Sequence, residues 1–368
     1  MTAHRLINLD HAATTAPDET VVQAMLDALR AAEANPSALY GAAGAGRRIL
    51  REARRTVARA LNAREDEIYF TSGGAEADTW AMKQVAGRHV VVSAIEHHAV
   101  LNAAKLWGCE VSLVPPDASG RITAGAVERA LRPDTALIAV QFANNETGVI
   151  HDVPAIGALA RARRVPFLCD AVQAFGHVPV DVRACNIDYL VLSGHKFYGP
   201  RGAGCLAART GMSLAPLIAG GGQERGLRGG TENVPAIAGL KAAMELAMKD
   251  MAERDVRERA LLERLQARLE REIPGARRLG EGAERLPGVA AFWLPGMEAA
   301  EVIARLDLRG IMISGGAACS ARSGEASHVY RAMLGEAEAR RVIRVSVGRE
   351  NTEADMDAAA EAILSLYA

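Results

Sequence analysis

The sequence predicts an α/β fold, with a large domain built on a mostly parallel sheet and a smaller α+β domain after it. Three observations carry that prediction. Between residues 67 and 206, short runs rich in Val, Ile and Leu alternate with longer amphipathic stretches, the rhythm of β-α units feeding parallel strands. Five of those runs end in a cluster of polar residues. Around residues 251–273 the pattern changes to a long charged helix, which marks the exit from the large domain.

Taken in order, the run 67–70 leads into Thr71-Ser72-Gly73-Gly74-Ala75-Glu76, and 89–95 leads into Glu96-His97-His98. The run 136–142 leads into Ala143-Asn144-Asn145-Glu146, 165–169 into Asp170-Ala171-Val172-Gln173, and 188–192 into Ser193-Gly194-His195-Lys196. Ligands of open α/β sheets bind beyond the carboxyl ends of the strands, so five polar tips point to one shared site. Gly220-Gly221-Gly222-Gln223 and Gly229-Gly230-Thr231 form a glycine-rich loop region, which calls for a close backbone approach. The charged helix at 251–273 keeps Val256, Leu261, Leu262, Leu265 and Leu269 on its apolar positions. Beyond it come a strand at 289–294, a helix at 299–308, a short strand at 311–314, a loop with Cys319 and a strand at 341–347. A last helix is opened by Thr352 as N-cap, with Asp355 at its third position. The expected division is a large domain over 15–250, and a small one from 1–14 together with 251–368.

Composition narrows the functional classes. With 368 residues, 49% hydrophobic and 24% charged, the chain is long enough for about two domains and too apolar for a disordered or fibrous protein. A net charge of -1 leaves no overall basic footprint for nucleic acid or an anionic membrane; a nucleic-acid binder would need a local patch. No signal-like apolar segment opens the sequence, and no run approaches the roughly 18 apolar residues of a spanning helix, so a soluble cytoplasmic protein is expected. Five cysteines, an odd set without C-x-x-C, fit neither a disulfide framework nor a zinc ribbon; no metal and a reducing compartment are expected.

The chemistry starts from lysine, of which the chain has five, with Lys196 alone following a buried-looking strand. A lysine in such a cleft is suited to a Schiff base with a carbonyl cofactor, although a solvated loop lysine is the plainer alternative. Asp170 at another strand tip is suited to hold a pyridinium nitrogen protonated, which makes a pyridoxal ring an electron sink, and Gln173 is placed to reach the ring oxygen. Asp170 can equally be an N-cap. The turn Ser72-Gly73-Gly74 between strand and helix offers backbone N–H groups to a phosphate, with Ser193 and His195 as further donors. His97 is a candidate to stack on the cofactor and move protons. Arg344, inside a β-branched strand, needs either an internal acidic partner or a substrate carboxylate. Cys319 lies among small residues that suit an exposed, mobile loop, with Arg322 nearby, and is a candidate nucleophile as its thiolate. The other four cysteines sit in or beside apolar runs and read as inert.

At this point the chain resembles the cysteine desulfurases of the class V aminotransferase group, within fold type I of the pyridoxal-phosphate-dependent transferases. The resemblance runs in order through Leu9-Asp10-His11-Ala12-Ala13-Thr14-Thr15, Asn35-Pro36-Ser37, Phe70-Thr71-Ser72-Gly73, Glu96-His97 and Ala143-Asn144-Asn145-Glu146-Thr147-Gly148. It continues through Asp170-Ala171-Val172-Gln173, His195-Lys196-Phe197-Tyr198-Gly199-Pro200, residues 220–227, Gly230-Thr231-Glu232-Asn233, Ala318-Cys319-Ser320 and residues 344–349. The spacing from Cys319 through Ser327-His328-Val329 is similar to the branch with a longer, flexible cysteine loop.

The resemblance implies pyridoxal 5'-phosphate as cofactor, joined to Lys196, with Asp170 at the pyridine nitrogen, Gln173 at the ring hydroxyl and His97 on the ring face. Gly74, Ala75, Ser193 and His195 would hold the phosphate, with Thr231 reaching in from the second subunit of a homodimer. Asn145 and Arg344, with Asn35, would orient L-cysteine, and Cys319 would take its sulfur as a persulfide, leaving L-alanine. The persulfide would pass to an acceptor protein such as an iron–sulfur scaffold or a thiolation protein. Ala75 stands where the family usually has Thr or Ser and Tyr40 where it has His, while Gly194 and Arg201 replace Ala and Lys. One lost hydroxyl at Ala75 weakens phosphate binding by about 1 kcal/mol. A selenocysteine lyase, a class V aminotransferase that uses no thiol and a non-catalytic sulfur carrier are the rival readings.

Overall fold

The computed structural model describes residues 6–316 and 326–367. The chain opens with β1 (Ile7–Asn8), α1 (Glu19–Ala31) and α2 (Gly44–Leu61). The strands β2 (Ile68–Thr71), β3 (His89–Ser93), β4 (Glu110–Val114), β5 (Thr135–Ala139), β6 (Phe167–Asp170), β7 (Tyr189–Ser193) and β8 (Gly204–Ala208) follow. Between them lie α3 (Gly74–Lys83), α4 (His98–Leu106), α5 (Ala124–Ala130) and α6 (Val153–Arg163). After α7 (Val234–Glu272) come the strands β9 (Arg277–Arg278), β10 (Val289–Trp293), β11 (Ile311–Met312) and β12 (Val342–Ser346). The helices of this last part are α8 (Ala299–Asp307), α9 (His328–Leu334), α10 (Glu336–Ala339) and α11 (Glu353–Leu364).

Among the described residues the main sheet has the order β2-β8-β7-β6-β5-β3-β4. Only β8 in it runs antiparallel to its neighbours, so the sheet is mostly parallel, as the sequence predicts. Its strands are apolar on both faces because both are covered. Leu190 and Leu192 of β7 enter one core with α2, α6 and the start of α7, while Tyr189 and Val191 enter the other with α3 and α4. Two strands of this sheet escape the sequence reading. β4 is an edge strand with Val111 and Leu113 exposed, and β8 reads Gly-Cys-Leu-Ala-Ala, too small in side chain to resemble a strand.

The smaller sheet, β12-β10-β9, is antiparallel and forms a separate core with α8, α11 and the later part of α7. The expected helix at 251–273 is in fact the second half of α7, one unbroken helix. It starts earlier because Asn233 caps it by accepting from Ala236 N–H and Pro235 occupies its first turn. Its residues Leu240 and Met244 join the main core, whereas Leu261, Leu262, Leu265 and Leu269 join the small one. The close approach expected of the glycine-rich loops is between the loops themselves: a Cβ on Gly220 would stand 2.5 Å from Gly229 Cα. Among the described residues no helix is long and apolar enough to cross a membrane.

The N-terminal segment positions the site. β1 pairs in parallel with β11, and Leu9 O then accepts from Ser346 N–H of β12 at 2.7 Å. That delivers residues 10–15 to the tip of β7. There Thr15 Oγ1 donates to His195 O at 2.9 Å and accepts from Tyr198 N–H at 2.7 Å, clamping the turn that carries Lys196. Tyr198 is held at φ 64, a conformation a non-glycine side chain adopts only when its surroundings enforce it.

Candidate active site

The tips of β2, β3, β5, β6 and β7, the five strands predicted to end in polar clusters, open on one cavity of about 500 Å³. At one end, the β2–α3 turn begins α3 at Gly73, whose φ of +154 excludes a side chain, and no side chain caps the helix. The first-turn residues Gly74 and Ala75 line the cavity, so an anion there meets uncapped N–H donors and the positive end of the helix. Ser193 and His195 join them. His195 Nδ1 bonds Thr14 Oγ1 at 3.1 Å, and burial, with the Lys196 and Arg201 charges, lowers its pKa to about 4, so the ring is neutral.

Deeper in the cavity, Lys196 Nζ donates to Ala12 O at 2.6 Å and Ala13 O at 2.9 Å. His97 is the N-cap of α4: its Nδ1 accepts from Ala99 N–H at 3.1 Å, which assigns the neutral ring its proton on Nε2. Burial first, then Lys196, lowers its pKa to about 4. In this tautomer Nε2 is a donor. Gln173 Nε2 donates to Ala12 O at 2.7 Å. Asp170 Oδ1 accepts from Val172 N–H at 2.8 Å; the aspartate thus makes a local turn bond and lines the cavity as well.

Burial lifts Asp170 from its ordinary 3.8 to about 6, against the opposing pull of Val172 N–H and Lys196. The folded chain therefore binds this proton more tightly than the unfolded one. The stability this contributes is present at low pH and is lost as pH rises through about 6. Asp170→Asn is expected to make the cofactor-free chain more stable above about pH 7, by up to about 3 kcal/mol, and little changed at about pH 4. Urea denaturation at the two pH values checks this, and lower stability of the variant at both would exclude a carboxyl raised by burial.

At the substrate end Arg344 of β12 is 1% exposed yet lines the cavity. Its Nη2 meets Asp10 Oδ1 at 2.6 Å, its Nη1 donates to Asn145 O at 3.0 Å, and its Nε has no partner among the described residues. The internal ion pair and a cavity-facing guanidinium are thus both present in one residue. Asn145 is held in place by Asn144, whose Oδ1 accepts from the N–H groups of Glu146 and Thr147, each at 2.9 Å.

Two expected residues stand apart from this cavity. Thr231 is exposed and does not line it. Asn35 is also exposed, and its Oδ1 accepts from Ser37 N–H in its own turn at 2.9 Å. Cys319 and Arg322 lie outside the described residues. The flanks of that segment are described: a Cβ on Gly316 would stand 2.8 Å from Glu146 Oε2, and Ser327 Oγ donates to the same oxygen. Both therefore meet beside Asn145.

Sequence reasoning gave no role to several residues that line the cavity, among them Asp78, Gln141 and Thr14. Asp78 carried a signal, an acid between Ala77 and Ala81 on the buried face of α3. The residues present fit pyridoxal phosphate. A glycine cradle with uncapped donors suits its phosphate, a buried carboxylate suits its ring nitrogen, and a lysine between them suits its carbonyl.

Residues 7–359 match the family model "Aminotransferase class-V". The chain is 40% identical over 366 residues to "Cysteine desulfurase IscS" of Clostridium botulinum, covering 96% of this chain and 92% of that protein. Among solved structures it is similar to a "NifS-like protein" at 32% identity and a TM-score of 0.91, covering 98% of this chain and 99% of that one. It is also similar to "SspA in complex with cysteine" at 36% identity and a TM-score of 0.79, covering 93% and 98%. With the match spanning nearly its whole length, the chain belongs to the class-V aminotransferase family, among the cysteine desulfurases.

Proposed function

We infer that this chain is a pyridoxal-phosphate-dependent cysteine desulfurase, which removes the sulfur of L-cysteine, leaves L-alanine and passes the sulfur to an acceptor. The observation that carries the reading is the convergence of Lys196, Asp170, His97 and Arg344 with the uncapped glycine turn on one cavity. Bound there, pyridoxal phosphate supplies a carbonyl for the substrate amine and an electron sink for the carbanion at Cα. Asp170 and Gln173 hold its ring, His97 covers its face, and Gly74, Ala75, Ser193 and His195 hold its phosphate. Arg344 binds the substrate carboxylate with help from Asn145, which fixes the direction of the Cα–H bond. Lys196 Nζ takes the α-proton. Cys319 accepts the sulfur as a persulfide.

Thr231, exposed in the single chain, suits a homodimer in which it completes the partner's phosphate site, and Leu39 and Tyr40 are large side chains left 99% and 60% exposed. The acceptor is a protein of the iron–sulfur scaffold or thiolation type. Incubating the cofactor-loaded protein with L-cysteine and a reductant is expected to give alanine and sulfide in equal amounts. Alanine without sulfide, or neither product, would refute the reading.

A further inference from the structure

The cavity contains a carboxyl that these roles leave unused. Asp78, on α3, lines it with 1% of its surface exposed, and its buried Oδ1 has no hydrogen-bond partner among the described residues. The charges that act on it are those of Asp170 and Glu96, both acidic. Glu96, in the turn between β3 and α4, is equally buried: Oε1 accepts from Gln141 N–H, and Oε2 has no partner among the described residues. Three carboxyls from three elements thus act on one another, two of them, Asp78 and Asp170, lining the cavity, and Lys196 is the cation that acts on Asp170 and on His97.

One ammonium does not sustain three buried carboxylates. Of the three, Asp170 is the one on which a cation acts, Lys196, beside the Val172 N–H that donates to it. Asp78, with acids as its charged neighbours, retains its proton. A protonated carboxyl is a donor, and a buried donor left unpaired costs about 1–3 kcal/mol. Asp170, in the same cavity, is the acceptor whose charge acts on it.

We propose that Asp78 is a positioning residue: a neutral acid that donates its O–H to the Asp170 carboxylate and so keeps that carboxylate ionised for the cofactor's ring nitrogen. The proposal rests on the reading of the cavity as a pyridoxal-phosphate site. A neutral donor suits the task because a lysine or arginine in its place would compete with the ring for the Asp170 charge.

The test compares Asp78→Asn, which keeps an N–H donor of the same shape, with Asp78→Leu, which removes the donor. Pyridoxal phosphate binding to the cofactor-free chains is measured by equilibrium dialysis across pH, beside their urea denaturation. Asp78→Leu is expected to weaken binding at neutral pH by about tenfold or more and to move its pH midpoint upward, because Asp170 ionises less readily. Asp78→Asn is expected to stay within about threefold of the parent. Equal losses in both variants, or none in either, would overturn the proposal. Failure of the parent chain itself to bind the cofactor would instead sink the reading of the site. Independently of cofactor and of the leucine variant's folding, infrared difference spectra of parent and Asp78→Asn should show the carbonyl band of one protonated carboxyl lost. A carboxylate band lost in its place would show Asp78 to be ionised and end the proposal.

Discussion

Lys196→Ala is expected to lose both exchange of the cysteine α-proton with solvent and release of sulfide, each by roughly ten-thousandfold or more. The size follows from two roles in one atom. In the proposed function Nζ is both the amine that would join the cofactor and the base that would take the proton, so its removal leaves no substitute at either step. Among the described residues that line the cavity it is the only lysine. Loss of the Cα–H signal in heavy water, followed by proton NMR, reads the first role, and a sulfide assay reads the second. Cofactor retention separates them from misfolding, because the phosphate cradle and Asp170 do not depend on Lys196 for their own places. Exchange at the parent rate in the variant would remove Lys196 from the role of base.

The candidate site was legible where chemistry sits on local pattern. An apolar β-branched run followed by a polar tip marks a strand end in an open sheet, and that pattern brought out Asp170, Lys196, His97 and Ser193. The fold was legible on the same ground, since strands covered on both faces read as continuous apolar runs. What stayed hidden depends on contacts distant in sequence. The carbonyl that holds Lys196 belongs to Ala12, 184 residues away, and nothing near an alanine announces a hydrogen-bond acceptor. Arg344 and Asp10 are 334 residues apart, so the choice between an ion pair and a substrate contact was open until the guanidinium was seen to face both Asp10 and the cavity. The antiparallel β8 was invisible for a different reason: a Cβ on Gly204 would lie 2.5 Å from Leu192 O, so the strand is packed by absence of side chain. Predicted strands also ran past their ends, as at 89–95, because Ile95 O leaves the ladder to accept from Asn144 Nδ2 at 3.0 Å.

Cys319→Ala should separate what Lys196→Ala removes together. The thiol is needed only after the α-proton has gone, so exchange at Cα is expected to persist near the parent rate while alanine and sulfide fall by about a thousandfold or more. The balance of the step explains the contrast. Substrate sulfur forms a bond to Cys319 Sγ, the C–S bond breaks with its electron pair left on the carbon fragment, and a proton then completes alanine. Without an acceptor for sulfur that bond has no route to break, whereas proton removal at Cα does not call on the thiol. The described residues on either side of Cys319, Gly316 and Ser327, meet at Glu146, one residue from the Asn145 carbonyl that holds Arg344. His97, neutral with its proton on Nε2, is set to give a proton before it takes one, so the thiol must arrive as thiolate or find its ring in the other tautomer. If Cys319→Ala also stopped exchange, the thiol would act before the proton leaves, and this order of events would have to be reversed.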